Sequence, residues 1–442
     1  MNWWPWASSE VNPIHGSVRW RVTLNATMSS FPETNSRCLR VLMVHNRYLV
    51  KGGEDTSFEA EVELLRQGGH EVECYVRSNE EISQRGRFRT AIDTFSSSQS
   101  RREVGSILRA NRFDVMHVQN FFPLISTSIY RAARDCGVAV VQHLRNYRSL
   151  CAGGLLMRNG QNCELCLGET VGWGAIRHRC YRGSAMGSAV VVGMNAWHRI
   201  QRTFVNGTDR FLVPSELVGR KFKEGGFPAD RIVVKPDVVP DLSAHRAGDK
   251  VPRAIFVGRL SAEKGVRSLV EAWVREQLET PLAILGSGPL EGELRSRAAR
   301  NPAISFLGQL SLKEACQAMA ESELLLLPTE CHETFGRTVL EAYAGATPVI
   351  SSRGTAPGDL VVEGETGYLV NPGDITGLAA CVRRFFSLSR EERHQMGRVA
   401  HAHYLTHFGR EHNLELLTGV YRDAIEANAG RHARGKQHST KQ

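Results

Sequence analysis

Short apolar runs alternate with helix-forming segments along most of the chain, and this alternation constrains the fold more than any other feature. The first run is Val41-Leu-Met-Val-His45, and a second series begins at Ala254-Ile-Phe-Val257. Short runs without a polar face are typical of strands that are buried on both sides of a parallel sheet. Strands that alternate with helices predict such a sheet with helices on both faces. Each series therefore predicts an α/β domain.

The alternation lapses between Pro236 and Pro252, where proline, aspartate, glycine and serine accumulate. This composition predicts a linker, and 442 residues are enough for two domains of ordinary size. The predicted units are a first domain at 38–240, a second domain at 241–410, an amphipathic helix at 411–427, and disordered extensions at 1–37 and 428–442. The first extension is also interpreted as a start codon placed too early, with Met28 as the alternative start, or as an aromatic membrane anchor.

The composition is that of a soluble globular protein with a basic balance. The net charge is +9 with 42% hydrophobic and 23% charged residues. No apolar run is long enough to span a bilayer and no secretory signal is visible, so we expect a cytoplasmic protein with reduced thiols. Basic charge favours nucleotides, lipid phosphates or an anionic membrane surface as partners. No zinc-finger, RNP-like or long basic helix motif is visible, so nucleic acid is not expected.

The most informative motif is Glu333-Thr-Phe-Gly-Arg-Thr-Val-Leu-Glu341, which follows the buried apolar run 324–327. The order of elements is strand, loop and helix, and ligands of open α/β sheets sit where loops leave the carboxyl ends of strands. Backbone N–H groups of Phe335 and Gly336 at the helix start suit a phosphate. The carboxylates of Glu333 and Glu341 suit hydroxyl groups of a sugar or ribose. The motif therefore predicts a nucleotide-sugar site.

This motif, with the Glu-Ala-x-Ala-x-Gly-x-Pro-Val run that overlaps its end, resembles the Glu-x7-Glu signature of retaining glycosyltransferases of family 4 (glycosyl transferases group 1). Members have the GT-B fold, in which two doubly wound parallel-sheet domains face a cleft and a C-terminal helix crosses back to the first domain. The resemblance implies a nucleotide-diphospho-sugar in the second domain and the acceptor mainly in the first. It also implies that Glu333 contacts the sugar and Glu341 the ribose. Thr334 departs from the Gly or Ser that many members carry.

A second motif, Gly258-Arg-Leu-Ser-Ala-Glu-Lys-Gly265, resembles the family's Gly-Arg-Leu-x-x-x-Lys-Gly element. The resemblance implies that Arg259 and Lys264 hold the donor diphosphate. Two fixed cations would stabilise the charge of the leaving group, so no catalytic divalent metal is expected. At the turn after Gly308, Gln309 and Leu310 occupy positions that contact the nucleotide base in relatives.

In the first domain, Lys51-Gly-Gly-Glu-Asp55 resembles the Gly-Gly-Glu-Asp loop of one branch of the family, which reaches the donor phosphates and the transferred sugar. Gly52 and Gly53 allow a close backbone approach to a ligand at a helix start. The segment Asp114-Val-Met-His-Val-Gln119 resembles the family's Asp-Val-Val-His-x-His segment, with Gln119 in place of the second histidine. His117 is interpreted equally as a core histidine or a site residue.

Four of the ten cysteines fall within an insertion predicted at 147–182. The spacing Cys-x11-Cys-x2-Cys-x13-Cys in a reducing compartment favours one structural zinc site. Alternatives are an iron–sulfur cluster, a disulfide or four buried thiols. The insertion resembles one found in the Gly-Gly-Glu-Asp branch. The predicted ligands are Cys151, Cys163, Cys166 and Cys180.

Together these motifs predict a retaining glycosyltransferase that moves a sugar to a hydroxyl of a glycan or a lipid-linked acceptor, as in cell-surface polysaccharide synthesis. The basic first-domain residues Arg177, Arg179, Arg199 and Arg202 could hold a lipid diphosphate at the inner face of a membrane, and this predicts a peripheral location. Three alternatives stay open. They are a non-catalytic GT-B-like binding protein, a nucleic-acid-binding protein built around the cysteine loop, and a phosphorylase or sugar-nucleotide synthase of the same fold.

Overall fold

The structure is a computed structural model that describes residues 37–49, 52–239 and 250–439. The predicted extension 1–37 lies outside the described residues, apart from its last residue. Most of the predicted linker, 240–249, lies outside them as well.

The first domain contains a parallel sheet and a small hairpin. Its strands are β1 (Arg40–Arg47), β2 (Glu71–Ser78), β3 (Val115–Asn120), β4 (Ala139–His143), β5 (Met157–Arg158), β6 (Gln161–Asn162), β7 (Arg210–Val213) and β8 (Ile232–Val234). The main sheet has the order β2-β1-β3-β4-β7-β8, and β5 and β6 form the antiparallel hairpin. Strands β3 and β4 are buried along their whole length, although each carries polar residues near its carboxyl end.

Nine helices of the first domain are described. They are α1 (Gly53–Gln67), α2 (Glu81–Arg85), α3 (Arg87–Phe95), α4 (Ser98–Ala110), α5 (Ser128–Asp135), α6 (Trp173–Arg177), α7 (Ala185–Ile200), α8 (Thr203–Gly207) and α9 (Glu216–Glu224). The predicted insertion 147–182 therefore contains the β5–β6 hairpin and α6, and it leads into α7.

The second domain repeats the same plan. Its strands are β9 (Val251–Val257), β10 (Leu282–Leu285), β11 (Ile304–Gly308), β12 (Ser322–Leu327), β13 (Val349–Ser352) and β14 (Gly367–Val370). Its helices are α10 (Val266–Arg275), α11 (Glu291–Ala298), α12 (Leu312–Glu321), α13 (Arg337–Ala344), α14 (Ala356–Asp359), α15 (Ile375–Ser387) and α16 (Arg390–Phe408). The six strands are parallel in the order β11-β10-β9-β12-β13-β14. Both predicted parallel sheets are confirmed.

Strand order decides where each domain can bind a ligand. In the second sheet β9 and β12 are neighbours, and the chain runs from them to opposite sides of the sheet. In the first sheet β1 and β3 occupy the same kind of position. Ligands of doubly wound sheets bind in the crevice outside the carboxyl ends of such strands. The predicted donor residues leave β9 and β12 at this point.

The last helix, α17 (Arg410–Ser439), crosses back to the first domain as predicted. Leu417, Val420 and Ala424 pack in the cluster that contains Val41 and Phe58. The helix continues past its predicted end at 427 as far as Ser439, and the disorder of 428–442 stays a prediction. The Asn428 amide donates to the carbonyl of Gly137 at 2.8 Å, so the first domain supports the helix beyond its predicted end.

A search of the helices in the described ranges finds none that combines the length and the apolar character required to span a bilayer.

Candidate active site

A cavity of about 340 Å³ lies between the two domains at the carboxyl ends of their sheets. Both domains line it, and the donor loop, which we define as 328–336 between β12 and α13, forms much of the second-domain wall. The lining residues are Gly53, Glu54, Ser57, Arg145, Asn146, Tyr147, Gly154, Leu155, Pro214, Asp237, Glu263, Lys264, Cys331, His332, Glu333, Thr334, Phe335, Gly336 and Arg337. Its size is in the ordinary range for small-molecule sites.

Lys264 and Glu333 meet at the second-domain wall of the cavity. Lys264 ends a short 3-10 helix (Ala262–Lys264) after β9, and its ammonium donates to Glu333 Oε1. The Thr329 hydroxyl donates to the other carboxylate oxygen of Glu333 at 2.8 Å. Burial alone would lower the pKa of Lys264, but the neighbouring Glu333 carboxylate raises it above its ordinary value. The structure therefore presents a fixed cation and an oriented carboxylate side by side.

Gly336 is the N-cap of α13, and its missing side chain is a packing requirement. A Cβ at this position would lie 2.8 Å from the Cα of Pro357. Phe335 beside it is buried, and the carbonyl of Thr334 accepts a hydrogen bond of 2.8 Å from the Ser215 hydroxyl of the first domain. The donor loop is thus held from both domains, and the start of α13 faces the cavity.

Arg337, which sequence reasoning missed, joins the donor loop to the first domain. Its Nε donates to Glu341 Oε1 at 2.9 Å, and its Nη1 donates to the Val238 carbonyl at 2.9 Å and to the Ser57 hydroxyl at 3.3 Å. Burial raises the pKa of Glu341. Glu341 does not line the cavity, so only Arg337 links it to the wall. The four-residue spacing of Arg337 and Glu341 on one helix was a signal for this pair.

The predicted Gly-Gly-Glu-Asp loop forms the first-domain wall at the start of α1. Gly52 is the N-cap, and its N–H donates to Asp55 Oδ2 at 3.0 Å. The other oxygen of Asp55 pairs with His45 Nε2 at 2.9 Å. A Cβ at Gly52 or Gly53 would meet nothing within 4 Å. The backbone on this side of the cavity therefore has free space around it, whereas the donor loop on the other side is tightly packed.

Glu54 is a second residue that was not predicted as a site residue. It lines the cavity, and its Oε1 accepts a hydrogen bond of 2.8 Å from the Asn146 amide. Its other oxygen is buried without a hydrogen-bond partner among the described residues. Since buried polar atoms usually have partners, this carboxylate is suited to accept a ligand hydroxyl.

A buried charge network, which we define as Glu61, Gln119, Arg145, Lys235 and Asp237, extends inward from the cavity wall, where Arg145 and Asp237 lie. Glu61 accepts hydrogen bonds from Lys235, from Gln119 and, at 3.0 Å, from Arg145. Arg145 also pairs with Asp237, which accepts a hydrogen bond of 2.8 Å from Ser57. The charges of Lys235 and Arg145 outweigh burial and hold the pKa of Glu61 well below its ordinary value. Through Lys235 and Asp237 the network thus includes the segment that follows β8.

His117 is a buried core residue at the edge of this network. Its Nδ1 lies 2.7 Å from the Tyr421 hydroxyl of α17, and it does not line the cavity. Burial lowers the pKa of His117 to about 4. Gln119 does not line the cavity either, because it bonds to Glu61 and accepts from Arg145 at 2.7 Å. Its replacement of a family histidine therefore alters the interior of the domain and not the cavity wall.

Besides Gly52 and Glu341, three predicted donor-site residues are absent from the cavity lining. Arg259 is exposed and does not line it. Gln309 and Leu310 follow β11, and the side-chain oxygen Oε1 of Gln309 accepts a hydrogen bond of 2.9 Å from the Ser287 hydroxyl. The structure brings Gly53, Lys264, Glu333, Phe335 and Gly336 together at the cavity. The roles of these residues, and those of Gly52, Arg259, Gln309, Leu310 and Glu341, stay predictions.

The four cysteines of the insertion lie near one another without forming a ligand set. Burial raises the pKa of the Cys166 thiol, and Cys151, Cys180 and Cys163 add to that rise. Among the described residues no three of these sulfur atoms lie within 4.8 Å of one another. The group that meets this distance is Glu61, His117 and His143, but Lys235 and Arg145 already neutralise Glu61 there. The predicted zinc site therefore stays a prediction.

The insertion does contact the donor loop of the second domain. The N–H of His332 donates to Asn162 Oδ1 at 3.0 Å, and His332 Nε2 lies 2.9 Å from Glu164 Oε1. Lys221 of α9 holds the same Glu164 oxygen at 2.9 Å. Through these contacts the first domain fixes His332, which immediately precedes Glu333.

Two family models match the chain, one in each domain. The model described as "Glycosyl transferase 4-like domain" matches residues 52–237, and the model described as "Glycosyl transferases group 1" matches residues 251–387. The boundary between the two matches falls within the predicted linker.

Curated relatives match part of the chain. The sulfoquinovosyl transferase SQD2 of Arabidopsis thaliana is 34% identical over 154 residues, which is 34% of this chain and 29% of the relative. A glycogen synthase of Mycobacterium tuberculosis is 35% identical over 148 residues, which is 32% of this chain and 36% of the relative. The chain thus spans about a third of the length of these curated relatives.

The solved structure of Anabaena HepE in complex with UDP has a similar fold. It covers 86% of this chain and 99% of its own, with a TM-score of 0.59 and 15% sequence identity. Two facing parallel-sheet domains, a cavity between them and a helix that returns to the first domain define a GT-B protein. This chain has the GT-B fold, its first domain matches the glycosyl transferase 4-like model, and its second domain matches the glycosyl transferases group 1 model.

Proposed function

We propose that the protein is a retaining glycosyltransferase that uses a nucleotide-diphospho-sugar donor. The observation that carries the proposal is the interdomain cavity, in which Lys264 and Glu333 of the second domain face Glu54 and Arg145 of the first. A cation and a carboxylate at the start of α13 match the phosphate and the hydroxyl groups of such a donor. The matched families and the UDP complex of HepE support the same donor class.

In this proposal each donor part has its own protein group. Lys264, together with Arg259, stabilises the diphosphate, and the N–H groups at Phe335 and Gly336 add to it. Glu333 holds sugar hydroxyls, and Glu341 holds the ribose. Gly52 and Gly53 let backbone approach the phosphates, and Gln309 and Leu310 contact the base. Since fixed cations do the work of a metal, no catalytic divalent metal is expected.

The reaction exchanges one bond at the anomeric carbon for another on the same face. The bond from that carbon to the departing phosphate oxygen breaks, and a bond to the acceptor oxygen forms. The acceptor proton passes to the departing phosphate oxygen, which leaves with the nucleoside diphosphate. Lys264 stabilises this charge as it develops, because its raised pKa keeps it cationic at neutral pH. The acceptor in this proposal is a hydroxyl of a glycan or lipid-linked glycan of cell-surface polysaccharide synthesis.

The test begins with nucleotide sugars screened by thermal shift, since a bound donor stabilises the fold by mass action. With the donor so found, Lys264→Ala and Glu333→Ala are expected to abolish transfer while the folded state persists. Lys313→Ala, an exposed lysine of α12, is the matched control and keeps wild-type turnover. NMR of the product anomer reports retention. Near-wild-type turnover in either cavity variant would refute the proposal, and an inverted product would refute its retaining part.

The structural zinc is a separate proposal. It rests on the spacing of Cys151, Cys163, Cys166 and Cys180 and on their mutual proximity. A closed four-thiolate site leaves no position for substrate, so its role would be to hold the insertion. Metal analysis of the purified protein is expected to find one zinc per chain, and protein free of zinc and iron would contradict the proposal.

A further inference from the structure

Helix α7 presents an apolar face to solvent. From Ala185 to Ala196 the sequence has no charged residue. Met186, Trp197 and Ile200 follow one another at intervals of eleven and three residues, which places them on one side of the helix, and Met186 is 80% exposed. The outward face of a surface helix ordinarily carries polar and charged residues, so this face requires an apolar partner.

Two neighbouring helices extend this face. Helix α7 packs against both α3 and α6. The ring of Phe95 on α3 lies 3.4 Å from the Cβ position of Gly193, which is seven residues after Met186 on α7. Phe88 and Ile92 precede Phe95 at helical spacing, and Phe88 is 82% exposed.

Helix α6 adds Trp173, which is 71% exposed. Six of the thirteen large apolar side chains that are exposed in the described ranges therefore belong to these three helices. We name them the docking face: Phe88, Ile92, Trp173, Met186, Trp197 and Ile200.

The sequence that carries most of the docking face is strongly basic. Residues 173–207 include five arginines and neither aspartate nor glutamate. Arg177, Arg179 and Arg182 are exposed between Trp173 and Met186, and Arg202 is exposed just after Ile200. On α3, Arg89 is exposed next to Phe88. Aromatic and aliphatic side chains thus alternate with guanidinium groups on one side of the first domain.

We propose that the docking face binds peripherally to a membrane that contains anionic lipids. Tryptophan, phenylalanine and isoleucine side chains enter the boundary between headgroups and acyl chains, and arginines pair with lipid phosphates. The charge complementarity of the four exposed arginines Arg177, Arg179, Arg182 and Arg202 selects the anionic surface. The proposal goes beyond the proposed glycosyl transfer and does not depend on it, because the docking face lies outside the interdomain cavity.

The test is co-sedimentation of the full chain with vesicles of phosphatidylcholine, with or without about 30% phosphatidylglycerol. Binding is expected to the anionic vesicles and to weaken as salt rises, since the arginine contribution is screened. The double variant Arg177→Gln/Arg179→Gln is expected to weaken binding by about fivefold per arginine. Arg300→Gln, an exposed arginine of the second domain, is the matched control and binds as wild type.

The apolar contribution is tested by Trp173→Ser/Trp197→Ser, which is expected to weaken vesicle binding at least about tenfold. Leu405→Ser removes an exposed apolar side chain of α16 and is the matched control. Met186→Ser serves as a second variant if the double variant unfolds, which circular dichroism and thermal melting report. These substitutions leave the interdomain cavity intact, so donor binding is expected to persist.

Three results would overturn the proposal. They are wild-type protein that does not sediment with anionic vesicles, docking-face variants that bind as well as their controls, and equal binding to neutral vesicles at all salt concentrations. A wild-type dimer in solution that Trp197→Ser dissociates would instead assign the docking face to a second copy of the chain.

Discussion

The molecule places charged side chains in two contrasting settings. In the second domain, Lys264 and Glu333 form a partly exposed pair on a cavity wall. In the first domain, Glu61 and Lys235 are fully buried, with Arg145 almost as deep. The first pair has room for a ligand, whereas Glu61 and Lys235 are enclosed by protein on all sides.

This difference separates binding from stability. In the proposed function, a donor phosphate or a sugar hydroxyl would replace a partner of Lys264 or Glu333 at the cavity wall. In the buried network a lost partner leaves an uncompensated charge in the interior, which costs far more than an exposed pair contributes. We therefore expect substitutions in the network to change stability first and substitutions at the cavity wall to change activity first.

The largest expected effect is that of Glu61→Ala. It removes the acceptor shared by Lys235, Arg145 and Gln119, and we expect the free energy of unfolding to fall by about 3–5 kcal/mol. Urea unfolding followed by circular dichroism measures it. Glu333→Ala is the matched control, with an expected loss below about 1 kcal/mol. Equal losses in the two variants would remove the distinction between the regions.

Gly336→Ala tests whether one side of the cavity is as rigid as the interior. The added methyl group would meet backbone of Pro357 at 2.8 Å, and we expect a loss of about 1–3 kcal/mol in the free energy of unfolding together with weaker donor binding. Denaturant unfolding and thermal shift with donor report the two effects. Wild-type stability would show that the donor loop moves freely.

We expect the contributions of Glu61 and Glu341 to the free energy of unfolding to change in opposite directions as pH falls. The pKa of Glu61 lies well below the ordinary 4.5, so its stabilisation is present above 4.5 and is lost as pH falls further. We expect the stability difference between wild type and Glu61→Gln to shrink by about 1 kcal/mol by about pH 4.

The pKa of Glu341 is raised by burial, so the folded protein takes up a proton before the unfolded chain does. Wild type should therefore gain stability relative to Glu341→Gln as pH falls through the raised pKa towards 4.5. Urea unfolding of wild type and both variants at about pH 6.5, 5 and 4 measures the two trends. If both stability differences changed with pH in the same direction, the opposite pKa shifts assigned to Glu61 and Glu341 would be contradicted.

The smallest expected effect on stability is that of Gly52→Ala. Its φ of −127° suits any residue, and a Cβ would meet nothing within 4 Å, so we expect a change within about 0.5 kcal/mol. Transfer should fall nevertheless, because the methyl group would occupy space next to the proposed donor phosphates. Steady-state kinetics beside thermal melting separates the effects. Unchanged kinetics would exclude this loop from the donor site.

Much of the fold was predictable from the sequence because its signals are local. The short apolar runs at β1, β9 and β12 predicted buried strands, and glycine and proline marked the linker. The donor wall followed for the same reason, since Lys264 and Glu333 leave neighbouring parallel strands at their carboxyl ends. The end of α17 was missed, because its support is a contact between Asn428 and Gly137, far away in the sequence.

The sequence by itself determined two α/β domains, their order and loops that line the cavity between them, because strand and helix periodicity and turn chemistry are written within a few residues. Only the tertiary structure decided that Arg337 bonds to Ser57 across 280 positions, that Glu61 has two cationic partners, and that three helices share one basic, apolar face. These facts depend on which elements pack together. Packing between distant segments decides which side chains share a cavity or an ion pair, and no local sequence pattern encodes that packing.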